Sequence, residues 1–212
     1  MEEPMTPIRR SSLARVVVVA ALIAAGCGGP PRAPVSNAPA PVPDLSGQSV
    51  LLLPVHPGPV PATVTTAAGD IRLDGVNELD AELAYWLKDR ASNVKWVMRD
   101  AYERILARSP ALNINPASLD VAVFRRAQVK RIGDPLFGDL KRLATITNAR
   151  FALVPVAAEN RPGTGVEVAY ALIDTTFGDV IWFGVLAGEN AAAAAQRTAS
   201  MFAPRRPTSS ID

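Results

Sequence analysis

The sequence predicts an α/β (α+β) domain, a mixed sheet covered by helices, and three observations carry that expectation. Val50-Leu51-Leu52-Leu53-Pro54-Val55 is an unbroken apolar run of strand length, as a strand buried on both faces requires. Leu79, Leu83, Trp86 and Leu87 then recur at helical spacing, with Glu78, Asp80, Lys88 and Asp89 on the other side. Farther on, two apolar runs at 166–174 and 180–187 flank Thr175-Thr176-Phe177-Gly178-Asp179, the composition of a hairpin turn.

The first strand opens at Ser49, and Pro57, Pro59 and Pro61 make residues 56–66 a loop. A helix over 77–90 follows, then a short strand over 94–99. Asp100-Ala101-Tyr102-Glu103 has the form of a capping box and starts a helix that ends near Pro110. Asn115-Pro116 and Asp134-Pro135 each place a cap residue before a proline, which predicts helices over 117–130 and 136–147, the second closed by Asn148. A third strand spans 151–158, where Pro155 demands a bulge or an unpaired edge. Gly178 supplies a positive φ in the hairpin turn. Asn190 caps an alanine-rich helix over 191–202, and residues 204–212 form a flexible tail. The predicted order is β-α-β-α-α-α-β-β-β-α, with no internal repeat.

Upstream of this domain, the apolar run from Val16 to Ala25 is too short to span a bilayer, which takes about 20 residues. Arg9, Arg10 and Arg15 precede it as the basic region of a signal peptide, although Glu2 and Glu3 leave Met1 and Met5 as alternative starts. Leu22-Ile23-Ala24-Ala25-Gly26-Cys27 resembles a bacterial lipobox: an apolar approach, small residues where a peptidase cuts, and a thiol able to take a thioether-linked diacylglycerol. The resemblance implies cleavage after residue 26 and two or three acyl chains (palmitate among them) on Cys27. Gly28 replaces the aspartate that marks inner-membrane retention, so an outer-membrane anchor facing the periplasm is implied. Residues 28–48 hold six prolines (Pro30, Pro31, Pro34, Pro39, Pro41 and Pro43) among small residues and read as a tether. The expected organisation is a signal peptide over 1–26, lipidated Cys27 and tether over 27–48, a periplasmic domain over 49–203 and the tail.

Charge and cysteine content narrow the function classes. The chain carries a net charge of +2; loss of residues 1–26 takes three arginines and two glutamates from its 22 basic and 20 acidic residues and leaves +1. That is no electrostatic footprint for nucleic acid. With Cys27 bound to lipid, neither a disulfide nor a thiolate metal site remains, and an apolar core must hold the fold.

The chemistry-bearing residues are few. His56 stands alone between Val55 and Pro57, without a nucleophile or second ligand type beside it, and is expected to be a loop residue rather than a catalyst. Asp174 and Asp179 flank one turn, where carboxylates bond the turn's own backbone. Trp86, Trp96 and Trp182 lie in apolar periodic segments, the pattern of core packing. Prolines after the first strand stand where a phosphate-binding loop needs glycines, so no nucleotide is expected. Arg125, Arg126, Lys130 and Arg131, followed by Lys141 and Arg142, form the one charge feature, either a solvated face or a docking patch for an acidic partner. No catalytic residue, metal site or cofactor is expected.

The segments VLLLPV, NVKWVMRD, ITNARFALVPVAAE and YALIDTTFGDVIWFGVLAG resemble the small periplasmic domain shared by curli-secretion CsgG-like lipoproteins, the N-terminal domain of TolB, LpoB-like activators of penicillin-binding proteins and PelC-like exopolysaccharide lipoproteins. The matching positions are Asn148-Ala149, Asp174, Gly178-Asp179 and Ile181-Trp182, and the resemblance covers residues 49–203. Pro155-Val156 departs from it where a small residue is usual. An anticodon-binding-domain-like fold is implied. So is a non-enzymatic outer-membrane lipoprotein that binds an envelope protein and regulates or assembles its machine, as a peptidoglycan-synthase activator or secretion accessory does. The alternative is a ring-forming component of a secretion or exopolysaccharide export apparatus. The long alternating hairpins of a membrane barrel are not seen in the sequence.

Overall fold

The computed structural model describes residues 41–58, 75–125, 129–161, 163 and 165–204. Residues 1–40 and 205–212, and with them the signal peptide, Cys27, most of the tether and most of the tail, lie outside the described residues.

Among the described residues five strands form one mixed sheet in the order β2-β1-β3-β4-β5. They are β1 (Ser49–Leu52), β2 (Lys95–Val97), β3 (Phe151–Arg161), β4 (Gly165–Asp174) and β5 (Asp179–Gly188). The helices are α1 (Val76–Arg90), α2 (Arg99–Arg108), α3 (Leu136–Thr147) and α4 (Ala191–Phe202). Strand β1 pairs in parallel with β2 on one side and β3 on the other, while β3, β4 and β5 run antiparallel in turn.

The unbroken apolar run of β1 follows from its central place. Val50 and Leu52 point into a core with Leu79, Leu83 and Leu87 of α1 and Ala194, Ala195 and Phe202 of α4. Leu51 and Leu53 point the other way, into a core with Tyr102 of α2 and Leu136, Leu140 and Leu143 of α3. Every residue from Val50 to Val55 is therefore buried, and none has a solvent face on which alternation could show.

The local chemistry holds in most places. Asn148 ends α3 at φ 51°, Gly178 turns the hairpin at φ 76°, and Asn190 caps α4 by accepting the Ala193 N–H at 2.8 Å. Because β3 is interior, Pro155 is met by a bulge, with the register to β4 shifting between Pro155 and Ala157.

Four expectations are corrected. No α-helix spans 117–125: Asn115 does accept the Ala117 N–H at 3.1 Å, but the turn at Pro116–Ser118 ends with Leu119 extended (ψ 142°). Asp120 then accepts the Ala122 N–H and opens a second short turn, Ala122–Arg125, so side-chain bonding to the local backbone replaces the helical ladder. Helix α2 begins at Arg99 behind an extended Met98 without a side-chain cap, and Glu103 reaches Arg99 at 2.7 Å instead of closing a capping box. Strand β2 accordingly stops at Val97. Strand β3 runs three residues past the expected 158, paired to β4 as far as Arg161–Gly165.

The packed chain also begins before Ser49. Val42 and Leu45 are buried in the first core, and the Gly47 N–H donates to the Asn93 carbonyl at 2.8 Å. Among the described residues no helix is long and apolar enough to cross a membrane.

Candidate functional site

The described members of the basic cluster do not lie on one helix. Arg126 and the side chain of Arg125 lie outside them. Lys130 and Arg131 sit in extended chain that adds to the start of β5, the Ile132 N–H donating to Gly178 O at 2.8 Å and the Val180 N–H to Lys130 O at 2.9 Å. Arg131 spends its charge on Asp179, with Nε 2.6 Å from the carboxylate, and that bond holds the Asp179 carboxyl below its ordinary pKa of 3.8. Arg142 is paired with Asp139, and Lys141 lies over the Phe137 ring. Two of these cations, Arg131 and Arg142, are thus paired with carboxylates.

The other singled-out residues serve the fold. His56 is buried at the end of β1, with its N–H donating to Pro155 O at 3.0 Å and Nδ1 3.2 Å from the same carbonyl. Asp174 accepts the Thr176 N–H at 2.8 Å inside the turn and stands 3.7 Å from Arg150. Trp182 is buried, Trp96 and Trp86 pack against the same core, and Trp96 and Trp182 both meet Phe202 edge-on. Among the described residues no group of three or more His, Cys, Asp or Glu is placed to hold a metal.

A cleft with largely apolar walls lies elsewhere, beyond the carboxyl end of β1. It has a volume of about 300 Å³ between Leu52, Leu53 and Pro54 on one side and the first turns of α1 and α2 on the other. Strand β1 is where the chain's connections part, to β2 on one side and β3 on the other, and in open sheets such a point leaves a crevice at the strand ends.

Asp80 reaches it from α1. Its Oδ1 accepts the Val55 N–H at 2.8 Å, and Oδ2 stands 3.7 Å from Arg99 Nη1. Burial raises the Asp80 carboxyl above its ordinary pKa of 3.8, against the opposing pull of the Val55 N–H and Arg99. Arg99, half-exposed at the rim, is held by Glu103 through Nε at 2.7 Å. Tyr102 is 1% exposed, and its hydroxyl has no hydrogen-bond partner among the described residues. Burial pushes that phenol well above its ordinary range, while Arg99, Glu103, Asp80 and Asp100 act on it by charge.

Sequence reasoning missed this site. Periodicity puts Asp80 on the polar side of its helix, but no local pattern joins it to Arg99 and Tyr102.

No protein-family model matches the chain, and no curated protein does. Among solved structures, it is similar to a PelC variant dodecamer from Paraburkholderia phytofirmans at 18% identity, over 78% of this chain and 95% of that one, with a TM-score of 0.41. It is similar to the LpoB C-terminal domain from Escherichia coli at 15% identity, over 68% and 84%, with a TM-score of 0.39. A lipoprotein from Neisseria meningitidis is similar at 15% identity, over 66% and 81%, with a TM-score of 0.40. Likeness this distant says nothing of what the chain binds.

Proposed function

We propose that the chain is an outer-membrane lipoprotein whose periplasmic domain binds an envelope protein and regulates or assembles its machine. The observation that carries this reading is the run from Leu22 to Cys27: small residues at a cut site, then the chain's single cysteine, behind an apolar core with three arginines before it. Two or three acyl chains hold the protein on the membrane, since each buried methylene contributes about 0.8 kcal/mol. Val42 is already packed on the domain, so the Pro-rich tether is at most residues 28–41, a length that in polyproline II form would span about 40 Å at ~3.1 Å per residue. The domain works by binding, at a distance that the tether sets.

Membrane fractionation of Cys27→Ala tests this. The variant is expected to leave the detergent phase and to accumulate uncleaved or soluble, while the wild type takes up an acyl label. A variant that stays in the detergent phase, with no acyl label on the wild type, would remove the reading.

A further inference from the structure

A second cleft, of about 400 Å³, opens between the last turns of α3 and the turn that joins β4 to β5. Bonds of their own fix both walls. Thr175 is buried, its N–H and Oγ1 donating to the Arg150 carbonyl at 3.0 and 2.7 Å, while Asp174 accepts the Thr176 N–H at 2.8 Å. On the helix side Asn148 takes a left-handed φ of 51°, and the N–H groups of Asn148 and Ala149 donate to the carbonyls of Thr145 and Ala144. The helix end, whose open carbonyls would repel an anion, is thereby capped.

Four of the lining side chains are left without a hydrogen bond. The Thr145 and Thr175 hydroxyls donate to backbone carbonyls, but the Lys141 ammonium, the Asn148 amide, the Nη groups of Arg150 and the Thr176 hydroxyl bond nothing among the described residues. Lys141 and Arg150 lie over the rings of Phe137 and Phe151, contacts that use none of their N–H donors. Asp174 stands 3.7 Å from Arg150 Nε but does not line the cleft, so the lining holds two cations and no carboxylate.

We propose that this cleft binds a small sugar acid, a sugar ring that carries one carboxylate or phosphate, with the oxyanion held by Lys141 and Arg150. Asn148 and Thr176 each offer a donor and an acceptor. A sugar hydroxyl matches that pairing because it does both, whereas a bare oxyanion uses donors only. The volume falls within the range of small-molecule sites and exceeds what a lone anion fills. This ligand is distinct from the envelope protein of the preceding section, and the inference does not rest on that reading.

The test titrates the full chain carrying Cys27→Ala, at constant ionic strength, with glucuronate, glucosyl phosphate, glucose and inorganic phosphate. The readout is the Ala144 and Ala149 methyl and Thr176 amide resonances. Glucuronate or glucosyl phosphate should shift these signals, and the tighter of the two decides between carboxylate and phosphate. Glucose and inorganic phosphate should each bind about tenfold or more weakly than the better acid. Lys141→Gln, at an exposed helix position, should weaken that acid about tenfold with an unchanged melting temperature, and the exposed control Lys95→Gln should leave it alone. Arg150→Gln should weaken it as much; because this variant also loses Asp174, the Lys141 variant decides if it folds poorly. Asn148→Gly keeps the left-handed cap and should weaken the sugar acid about threefold while leaving inorganic phosphate unchanged. Unmoved resonances, inorganic phosphate binding as tightly as either acid, or full affinity in Lys141→Gln would overturn the proposal. So would a blocked Glu-Glu dipeptide that binds more tightly than both acids, since the cleft would then seat an acidic protein segment. Neither the lipid anchor nor a protein partner takes part in this assay, so its failure leaves the proposed function standing.

Discussion

Gly178→Ala separates two costs that usually come mixed. Gly178 has a φ of 76°, and holding an L residue in the left-handed region costs about 1–2 kcal/mol. Its new Cβ would also stand 2.9 Å from Cδ2 of Phe137 and 3.2 Å from the Ile132 carbonyl oxygen, so something must move. The ring can turn only by leaving its place under Lys141, and the carbonyl is backbone. If the hairpin end yields instead, the Ile132 N–H to Gly178 O and Val180 N–H to Lys130 O bonds weaken, each worth about 1 kcal/mol. Gly47 is the control: its φ is 75°, but a Cβ there meets nothing within 4 Å. Gly47→Ala should therefore cost about 1–2 kcal/mol from the backbone alone, and Gly178→Ala about 2–4 kcal/mol. Urea unfolding of both variants at an unchanged m-value measures the difference. Equal losses within about 0.5 kcal/mol would mean that the packing of Phe137 and residues 130–132 against the turn contributes nothing, and the reasoning would fail. Gly178→Val should be worse than the alanine, since a β-branched residue resists positive φ more strongly.

Further outcomes follow from other contacts. Thr198 Oγ1 lies 3.0 Å from the Tyr170 hydroxyl in a fully buried pair, so Thr198→Val should cost about 1–3 kcal/mol in a urea melt, and adding Tyr170→Phe should recover part of that loss; strictly additive losses would contradict the pairing. The folded chain holds the Asp80 proton more tightly than the unfolded chain, so this carboxyl's contribution to stability is full below the ordinary pKa of 3.8 and is lost as pH rises through the raised folded value. Asp80→Asn keeps an acceptor for Val55 and should flatten that fall in a pH series of melts; an unchanged slope would contradict it. Asp179 runs the other way: the stabilisation from Arg131 is present above 3.8 and fades as pH falls through its lowered value, so Arg131→Gln should remove that acid-side loss. Light scattering on the Cys27→Ala chain should give a monomer, as an adaptor requires, whereas a large defined oligomer would favour the ring-forming alternative.

What the sequence made legible was whatever a single element records in its own residues. Strand β1 is an example, because burial on both faces writes itself as an unbroken apolar run; Pro155 and Gly178 are others, because a missing N–H and a positive φ admit few residues. The region after Asn115 misled for the same reason. Asn115-Pro116 is a true start signal, but the buried Leu119, Val121 and Phe124 stand two and three residues apart, a spacing that belongs to short turns rather than a helix. The ion pair of Arg131 was out of reach as well, because its partner, Asp179, is 48 residues away and is met only through sheet pairing. The cleft was out of reach altogether. Leu53, Asp80 and Tyr102 come from three elements that meet only because two parallel strands deliver their helices to one edge.

Intact-mass spectrometry of the protein extracted from membranes tests the lipid anchor most directly. The account predicts a chain that begins at Cys27 and is heavier than its residues by a diacylglyceryl group, with or without a third acyl chain on the new amino terminus. A mass that retains residues 1–26, or one that matches the unmodified residues from any start, would contradict it.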